Sequence, residues 1–204
     1  MRKAASKSAN LKDDICSVAL KLFSEKGYEA TNLSEVAEIL GITRTPLYYY
    51  FNDKKSLYAE AIKKHLAKKR ELYTEMAAKE SDIFTWLRQH IEFACSNTTD
   101  TVLFNVLGYD EFRSLSDLND ETCRYIYALE RRRVARAIET GELPPDTDID
   151  LFLSNVYVMS YGLTYVINQS ILSQDLKSSP KKIADLTDLF VQEIKCTHTL
   201  NNAR

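Results

Sequence analysis

Several side chains that can hydrogen-bond to DNA lie close together early in the chain. The Arg44 guanidinium can donate two hydrogen bonds to one guanine, and Thr45 and Pro46 can contact base edges or a thymine methyl group. Tyr48 and Tyr49 carry hydroxyl groups on side chains that are long enough to reach phosphates. These residue types in one short segment predict a surface that reads double-stranded DNA.

Residues 32–51 are predicted to form two short helices with a tight turn between them, which would position those side chains. Asn32 is an expected N-cap, and Glu35 would complete a capping box with it. Gly41 ends the first helix, and Thr43 is the expected N-cap of the second. Both capping residues, Asn32 and Thr43, are also expected to face the DNA.

This arrangement is the helix-turn-helix pattern, in which the N-terminal part of the second helix enters the major groove. The alternative interpretation is two ordinary surface helices joined by a polar turn.

Residues 11–66 also resemble the DNA-binding domain of the tetracycline-repressor (TetR) family, without gaps. The matching residues are Ala19, Leu22, Phe23, Gly27, Tyr28, Val36, Ala37, Gly41, Leu47, Tyr48, Phe51, Lys54 and Leu57. The resemblance implies a dimeric, all-helical, ligand-responsive transcription regulator, most often a repressor, with Lys54 at a phosphate contact. Thr45–Pro46 stands where Gly-Thr is common in the family, so base contacts can differ there.

The composition agrees with an all-α chain, because helix formers dominate and the 204 residues include only 5 Gly and 4 Pro. Charge is divided unevenly along the chain. Residues 1–70 hold 14 Lys and Arg against 8 Asp and Glu, whereas residues 71–204 hold 13 against 21. The basic part coincides with the predicted helix-turn-helix, where an electrostatic footprint for DNA is expected.

Hydrophobic periodicity and stop signals predict an N-terminal three-helix domain followed by a second helical domain, which the resemblance implies is the ligand-binding and dimerisation domain. The predicted helices span residues 10–26, 32–40, 44–50, 54–79, 82–96, 98–107, 117–140, 148–172 and 180–196. The predicted domains are a flexible basic arm (1–9), the helix-turn-helix domain (10–55), a connecting helix (56–80) and the C-terminal domain (81–204). The last two helices are strongly apolar, which predicts a homodimer that would present two recognition helices to a palindromic operator.

Aromatic and sulfur-containing residues are frequent in the predicted C-terminal domain, which suggests a pocket for a small, mostly apolar ligand. The expected ligand contacts are Trp86, Phe112, Tyr125, Met159 and Tyr161. The alternative is that these side chains simply pack in the core or face solvent. His90 is predicted to be a satisfied packing residue, and Arg131–Arg133 to form a solvated face.

Other functional classes receive little support from the sequence. No phosphate-binding loop, nucleophile elbow or zinc-protease motif is present, so no catalytic residue, cofactor or metal site is predicted. Four dispersed cysteines, and the absence of a signal peptide or membrane span, indicate a cytoplasmic protein. Two alternatives stay open: a ligand-independent or architectural DNA-binding protein, which would need broader positive charge, and a helical enzyme with an unrecognised site.

Overall fold

The computed structural model describes residues 2–96, 112–168 and 180–200, and these residues form eight α-helices. The helices are α1 (Arg2–Ala30), α2 (Leu33–Ile39), α3 (Arg44–Tyr50), α4 (Lys54–Ala78), α5 (Ile83–Ser96), α6 (Arg113–Glu139), α7 (Ile149–Asn168) and α8 (Pro180–Leu200). The helix predicted over residues 98–107, and the predicted end of the next-to-last helix at residue 172, lie outside the described residues. The all-α prediction is confirmed.

The chain divides into two compact units. The N-terminal unit contains Met1–Arg70 and Thr99–Cys123, and the C-terminal unit contains Glu71–Thr98 and Arg124–Arg204. The N-terminal unit is thus larger than the predicted helix-turn-helix domain of residues 10–55, since it also takes in the first part of α4 and the beginning of α6.

The core of the N-terminal unit lies where α1, α2, α3 and the first half of α4 pack together. Its members are almost fully buried apolar side chains, among them Ile15, Phe23, Val36, Leu47, Leu57, Tyr58 and Ile62. Phe112 and Leu115 join the same core from the start of α6. Burial of these side chains holds the two short helices α2 and α3 in place, because helices of this length are not stable alone.

Helix α1 is broken at Gly27, where the backbone takes φ 83° and ψ 166°. The predicted helix end at this glycine is therefore correct, and Tyr28 turns back so that its ring packs against Phe23 and Tyr58. The helix begins at Arg2, whereas the sequence predicts Asn10 as its start with a flexible arm before it.

The C-terminal unit is built around α5, the second part of α6, α7 and α8. Trp86, Leu87, Ile91, Val134, Phe152, Val156 and Ile194 belong to its buried core. Helix α6 stops two residues before Gly141, which has φ 76°, and Glu142 N donates to Ala137 O at 2.8 Å. This is the glycine-based ending that the sequence predicts at this position.

Candidate nucleic-acid interface

The turn between α2 and α3 is fixed by backbone hydrogen bonds around Gly41. This residue has φ 62°, Gly41 N donates to Glu38 O at 3.0 Å, and Ile42 N donates to Ala37 O at 3.0 Å. These bonds satisfy the last carbonyls of α2 in a Schellman motif. The direction in which α3 leaves the turn therefore depends on a left-handed residue at position 41.

Helix α3 is attached to the core mainly through Leu47, which is 1% exposed, and through Phe51 immediately after it. Thr43, Arg44 and Thr45, at the beginning of the helix, are exposed. A single buried side chain in seven residues leaves the rest of this short helix available to a partner.

The predicted DNA contacts share that exposed surface. Pro46 is partly exposed, Tyr48 is 54% exposed and Tyr49 is 79% exposed. Within the described part of the chain, no hydrogen bond or ion pair engages the Arg44 guanidinium, so all of its donors remain available. Exposed aromatic hydroxyls beside an unengaged guanidinium are suited to a polar, anionic surface such as DNA.

The helix starts differ in part from the expected capping pattern. Asn32 is the N-cap of α2, and its side-chain oxygen accepts a hydrogen bond from Ser34 N at 2.9 Å. The predicted capping box is wrong in both of its bonds: the Asn32 side chain accepts from Ser34 N rather than Glu35 N, and the Glu35 carboxylate forms an ion pair with Lys26 instead of reaching back to Asn32. Thr43 occupies the N-cap position of α3 without a side-chain cap hydrogen bond, so its hydroxyl is not committed there.

Lys54 begins α4 and is held against the end of α1. Its ammonium donates to Tyr28 O at 2.9 Å and to Glu29 O at 3.1 Å, and it lies 4.5 Å from the centre of the Tyr28 ring. An ammonium has three donors, so one remains for an external acceptor such as a phosphate.

Asp53 caps the first turn of α4 together with Ser56. Ser56 N donates to Asp53 Oδ1 at 2.7 Å, and Asp53 N donates to Ser56 Oγ at 3.1 Å. Hydrogen bonds from the Ser56 backbone and hydroxyl hold the pKa of the Asp53 carboxyl below its usual range. This reciprocal cap fixes the position from which Lys54 starts the helix.

Comparison with known proteins identifies this domain. The family described as "Bacterial regulatory proteins, tetR family" matches residues 15–61, which include α2, α3 and the start of α4. Residues 15–61 are thus assigned to the TetR family. The match is to regulators rather than enzymes, in line with the expectation from the sequence.

Two curated relatives match part of this chain. The biofilm operon negative transcriptional regulator IcaR of Staphylococcus aureus is 45% identical over 53 residues, which are 26% of this chain and 28% of IcaR. The transcriptional regulator AcrR of Shigella flexneri is 36% identical over 78 residues, or 38% of this chain and 36% of AcrR. The chain thus matches 28% of the length of IcaR and 36% of the length of AcrR.

Similarity to solved structures extends over most of the chain. The transcriptional regulator FadR of Bacillus subtilis, solved in complex with stearoyl-CoA, superposes with a TM-score of 0.61 at 14% identity. The superposition covers 89% of this chain and 96% of FadR. At this level of identity the similarity shows a shared fold.

The five predicted ligand contacts do not all belong to the same unit. Phe112 lies in the core of the N-terminal unit, with its ring centre 4.9 Å from that of Tyr58 and 5.1 Å from that of Tyr28. The hydroxyl of Tyr125 lies 3.0 Å from Thr74 Oγ1. A ligand role for Phe112 and Tyr125 stays a prediction.

The other three predicted contacts lie in the C-terminal unit. Trp86 is 2% exposed, Tyr161 is 47% exposed, and Met159 packs against the core while partly exposed. A chain of ring contacts connects Trp86 to Tyr161: Trp86 to His90 at 5.5 Å, His90 to Tyr157 at 6.0 Å, and Tyr157 to Tyr161 at 6.2 Å.

Two members of this aromatic chain, His90 and Tyr157, contact a buried carboxylate that the sequence did not predict. Glu130 and His90 are each 2% exposed, and His90 Nδ1 lies 3.0 Å from Glu130 Oε1. The Tyr157 hydroxyl donates to Glu130 Oε2. Burial, and secondarily the nearby Glu130 charge, raises the pKa of Tyr157 above its usual value, so the hydroxyl stays protonated as a donor.

The signal that could have revealed Glu130 is helical periodicity. It falls on the same helix face as the buried residues Ile126, Val134 and Ala137, at a spacing of about one turn. Arg133, expected on a solvated face, is also buried, and its guanidinium donates to Ser81 O and to Glu142 Oε2.

Open surface cavities in the C-terminal unit are lined by residues other than the predicted ligand contacts. One of about 600 Å³ is lined by Arg132, Arg133 and Arg136 among others, and one of about 590 Å³ by Arg88, Asp188 and Lys195 among others. None of the five predicted ligand contacts lines either cavity.

Within the described ranges, no helix combines the length and apolar character needed to cross a membrane. Nor, across the same ranges, do three or more His, Cys, Asp or Glu side chains converge on a site for a metal ion.

Proposed function

We propose that this protein is a sequence-specific DNA-binding transcriptional regulator in the cytoplasm, and that it represses the genes whose operator it binds. The observation that carries the proposal is the exposed start of α3, where Arg44 and Thr45 are unengaged while Leu47 anchors the helix. An anchored helix with free donors at its N-terminal end matches the recognition geometry of helix-turn-helix proteins.

The charge distribution and the relatives support this function. The basic excess of residues 1–70 supplies the salt-dependent attraction to phosphates that DNA binding needs. IcaR, which shares 45% identity over the matched segment, is a negative regulator by its description, and this favours repression over activation. In the proposed complex, Arg44, Thr45 and Pro46 lie near bases, and Tyr48, Tyr49 and Lys54 lie on phosphates.

We also propose a homodimer, and α7 carries the argument. Between residues 151 and 165 the exposed residues of α7 form one uncharged face: Leu151, Ser154, Asn155, Val158, Tyr161, Gly162 and Tyr165. Leu151 is 62% exposed, Val158 72% and Tyr165 60%. Large apolar side chains repeating every seven residues on an uncharged face favour packing against another helix.

Helix α8 contributes less to this proposed interface than the sequence suggested. Leu189 is its one exposed large apolar side chain among the described residues, at 51% exposed, and charged residues such as Asp185 and Glu193 are exposed beside it. A two-fold dimer through α7, with α8 at its border, would present two copies of α3 to a palindromic operator.

Release from the operator by a small, mostly apolar molecule is the second part of the proposal. Such a ligand would act only to the extent that it binds better to a conformation with badly spaced recognition helices. FadR, which shares the fold, was solved with stearoyl-CoA, and this supports a ligand site in folds of this kind without identifying the ligand here. The alternative is a ligand-independent or architectural DNA-binding protein.

The test is selection of bound sequences from a random double-stranded DNA library by the purified protein. We expect an inverted repeat to be enriched, because a two-fold dimer reads two equivalent half-sites. The double variant Arg44→Ala, Thr45→Ala should lose the enrichment, whereas Arg132→Ala, an exposed arginine in the C-terminal unit, should keep it. Recovery of random sequences by the folded wild-type protein would contradict sequence-specific binding.

A further inference from the structure

We propose that Phe112 is a positioning residue for DNA binding, and that it acts through the ammonium groups of Lys54 and Lys55. Phe112 immediately precedes α6 and lies outside residues 15–61, the segment that matches the TetR family. The inference rests on the proposed DNA binding and deepens it. It adds a residue far from the helix-turn-helix in sequence to the parts of the protein that prepare the contact with phosphates.

The first observation is that the two lysines at the start of α4 each lie over an aromatic ring. Lys54 Nζ is 4.5 Å from the centre of the Tyr28 ring, and Lys55 Nζ is 5.8 Å from the centre of the Phe112 ring. The first turn of α4 contains no acidic residue, so two adjacent cations stand at the positive end of the helix dipole. The electron-rich ring faces offset part of this repulsion and favour one position for each ammonium.

The second observation is that the two rings support each other inside the N-terminal unit. The ring centres of Tyr28 and Phe112 are 5.1 Å apart with an interplanar angle of 80°, an edge-to-face contact that aromatic pairs favour. Both rings also pack against Tyr58, at 5.0 Å and 4.9 Å between centres. Phe112 is 2% exposed and Tyr58 is 1% exposed. Phe112 therefore lies next to Lys55 directly and supports Lys54 through Tyr28.

The third observation is that Tyr28 holds Lys54 with its backbone as well as with its ring. The Lys54 ammonium donates to Tyr28 O at 2.9 Å while it lies over the ring of the same residue. Removal of the Phe112 ring would take away packing atoms from one side of the Tyr28 ring. That ring would then be less constrained beneath Lys54, and Lys55 would lose its ring contact altogether.

Held ammonium groups favour phosphate binding because they lose little further freedom when the complex forms. Ordering a long side chain at an interface opposes association, and a lysine that is already ordered in the folded protein avoids most of that cost. Loss of the Phe112 ring should therefore weaken DNA binding at least about fivefold. Phosphate contacts carry no sequence information, so the loss should be the same on the operator and on unrelated DNA.

The test is a double-mutant cycle on DNA affinity. Phe112→Leu removes the ring but keeps an apolar side chain in the core, and we expect it to weaken binding to the selected operator and to a random duplex of equal length at least about fivefold. In the background Lys54→Ala, Lys55→Ala the same change should cost less than about twofold, because no ammonium is left to position. An equal loss in both backgrounds would overturn the proposal and leave Phe112 as a core residue only.

Three further variants separate positioning from stability. Leu115→Ala is the matched control, since Leu115 is buried in the same core and close in sequence but offers no ring to a lysine; the folded variant should bind DNA within about twofold of wild type. Phe112→Tyr keeps the ring and should also bind within about twofold. Phe112→Met gives the same comparison as Phe112→Leu if the leucine variant does not fold. A folded Phe112→Leu or Phe112→Met protein with wild-type affinity would contradict the role of the ring.

The outcome for wild-type protein separates this inference from the proposed function. Wild-type protein that binds no DNA would refute the proposed function, and the positioning role with it. Wild-type protein that selects an inverted repeat, with no effect of Phe112→Leu that depends on the two lysines, would leave the proposed function intact and refute only the role of Phe112.

Discussion

At the scale of single residues, the side chains of the candidate interface have two kinds of role. Some are free to contact DNA bases, and others are bonded to neighbouring segments of the protein. Arg44 is exposed and unengaged in the described structure, whereas Lys54 donates to two backbone carbonyls of the preceding segment. A free guanidinium can form the bidentate contact that distinguishes guanine, and an anchored ammonium can offer only its remaining donor. The two residues should therefore respond differently to substitution.

Arg44→Ala should weaken binding to the selected operator by about 1–3 kcal/mol and relax the preference at one base pair of each half-site. The measurement is competition binding against operators altered at single positions. Arg132→Ala, which lies in the C-terminal unit, is the matched control and should change nothing. A uniform loss for Arg44→Ala on every sequence would assign this residue to phosphate contact instead of base reading.

Lys54→Ala should have two effects, because the ammonium serves the fold and is proposed to contact phosphate. Loss of its hydrogen bonds to Tyr28 O and Glu29 O should lower the free energy of unfolding by about 1–3 kcal/mol. Its proposed phosphate contact should make the slope of log affinity against log salt shallower by about one.

Urea unfolding and binding at several salt concentrations measure these two effects separately. Lys21→Ala is the control, since the Lys21 side chain is 76% exposed and has only a 3.9 Å ion pair with Glu25. An unchanged salt slope for folded Lys54→Ala would show that this residue is structural only.

At the scale of helices and turns, the features that local chemistry decides were predictable from the sequence. The helix breaks at Gly27, Gly41 and Gly141 are found where they were expected, because a left-handed residue is a local requirement. The exposed start of α3 follows from a segment with only Leu47 suited to a core. What could not be predicted depends on distant partners, as with Glu35, whose carboxylate pairs with Lys26 on another helix.

In the C-terminal unit, the burial of polar side chains is harder to predict from the sequence than the positions of the helices. A run of three arginines suggests a solvated face, yet Arg133 is buried because Ser81 O and Glu142 supply acceptors from outside α6. The aromatic composition predicts Phe112 as a ligand contact, whereas the position of its ring beside Tyr28 and Tyr58 depends on long-range packing. Neither arrangement can be predicted from the residues next to Arg133 or Phe112 in the sequence.

The Gly41 turn gives a prediction at this scale. Gly41→Ala should lower the free energy of unfolding by about 1–2 kcal/mol, because an L-residue is strained at φ 62°. A Cβ at this position would meet no atom within 4 Å, so the cost comes from the backbone alone. DNA affinity should fall as well, since α3 would leave the turn at a different angle.

Gly41→Asn is the matched control for that prediction, because asparagine tolerates the left-handed region better than alanine. Urea unfolding should rank the proteins wild type, Gly41→Asn, Gly41→Ala in order of falling stability. Equal stability of the alanine variant and the wild type would show that the turn does not need the conformation seen here.

At the scale of the whole molecule, the proposed regulator depends on the uncharged face of α7. Val158→Glu should convert the dimer to a monomer, because a carboxylate would be buried without a partner at the centre of that face. Val158 is 72% exposed within one chain, so the same change should alter monomer stability by only about 0.5 kcal/mol.

Sedimentation equilibrium measures the oligomeric state, with Ala78→Glu, at the exposed end of α4, as the control that should stay dimeric. Operator affinity should fall with the loss of the dimer, because one half-site alone is held weakly. A Val158→Glu protein that remains dimeric would place the interface elsewhere.

The proposed function depends above all on α3 binding a specific DNA sequence. The most direct test is binding of the purified protein to tiled DNA fragments from upstream of its own gene, at several salt concentrations. We expect one fragment to bind at least about a thousandfold more tightly than the others, with two chains on each operator. Absence of binding to every fragment, even at low salt, would contradict the account.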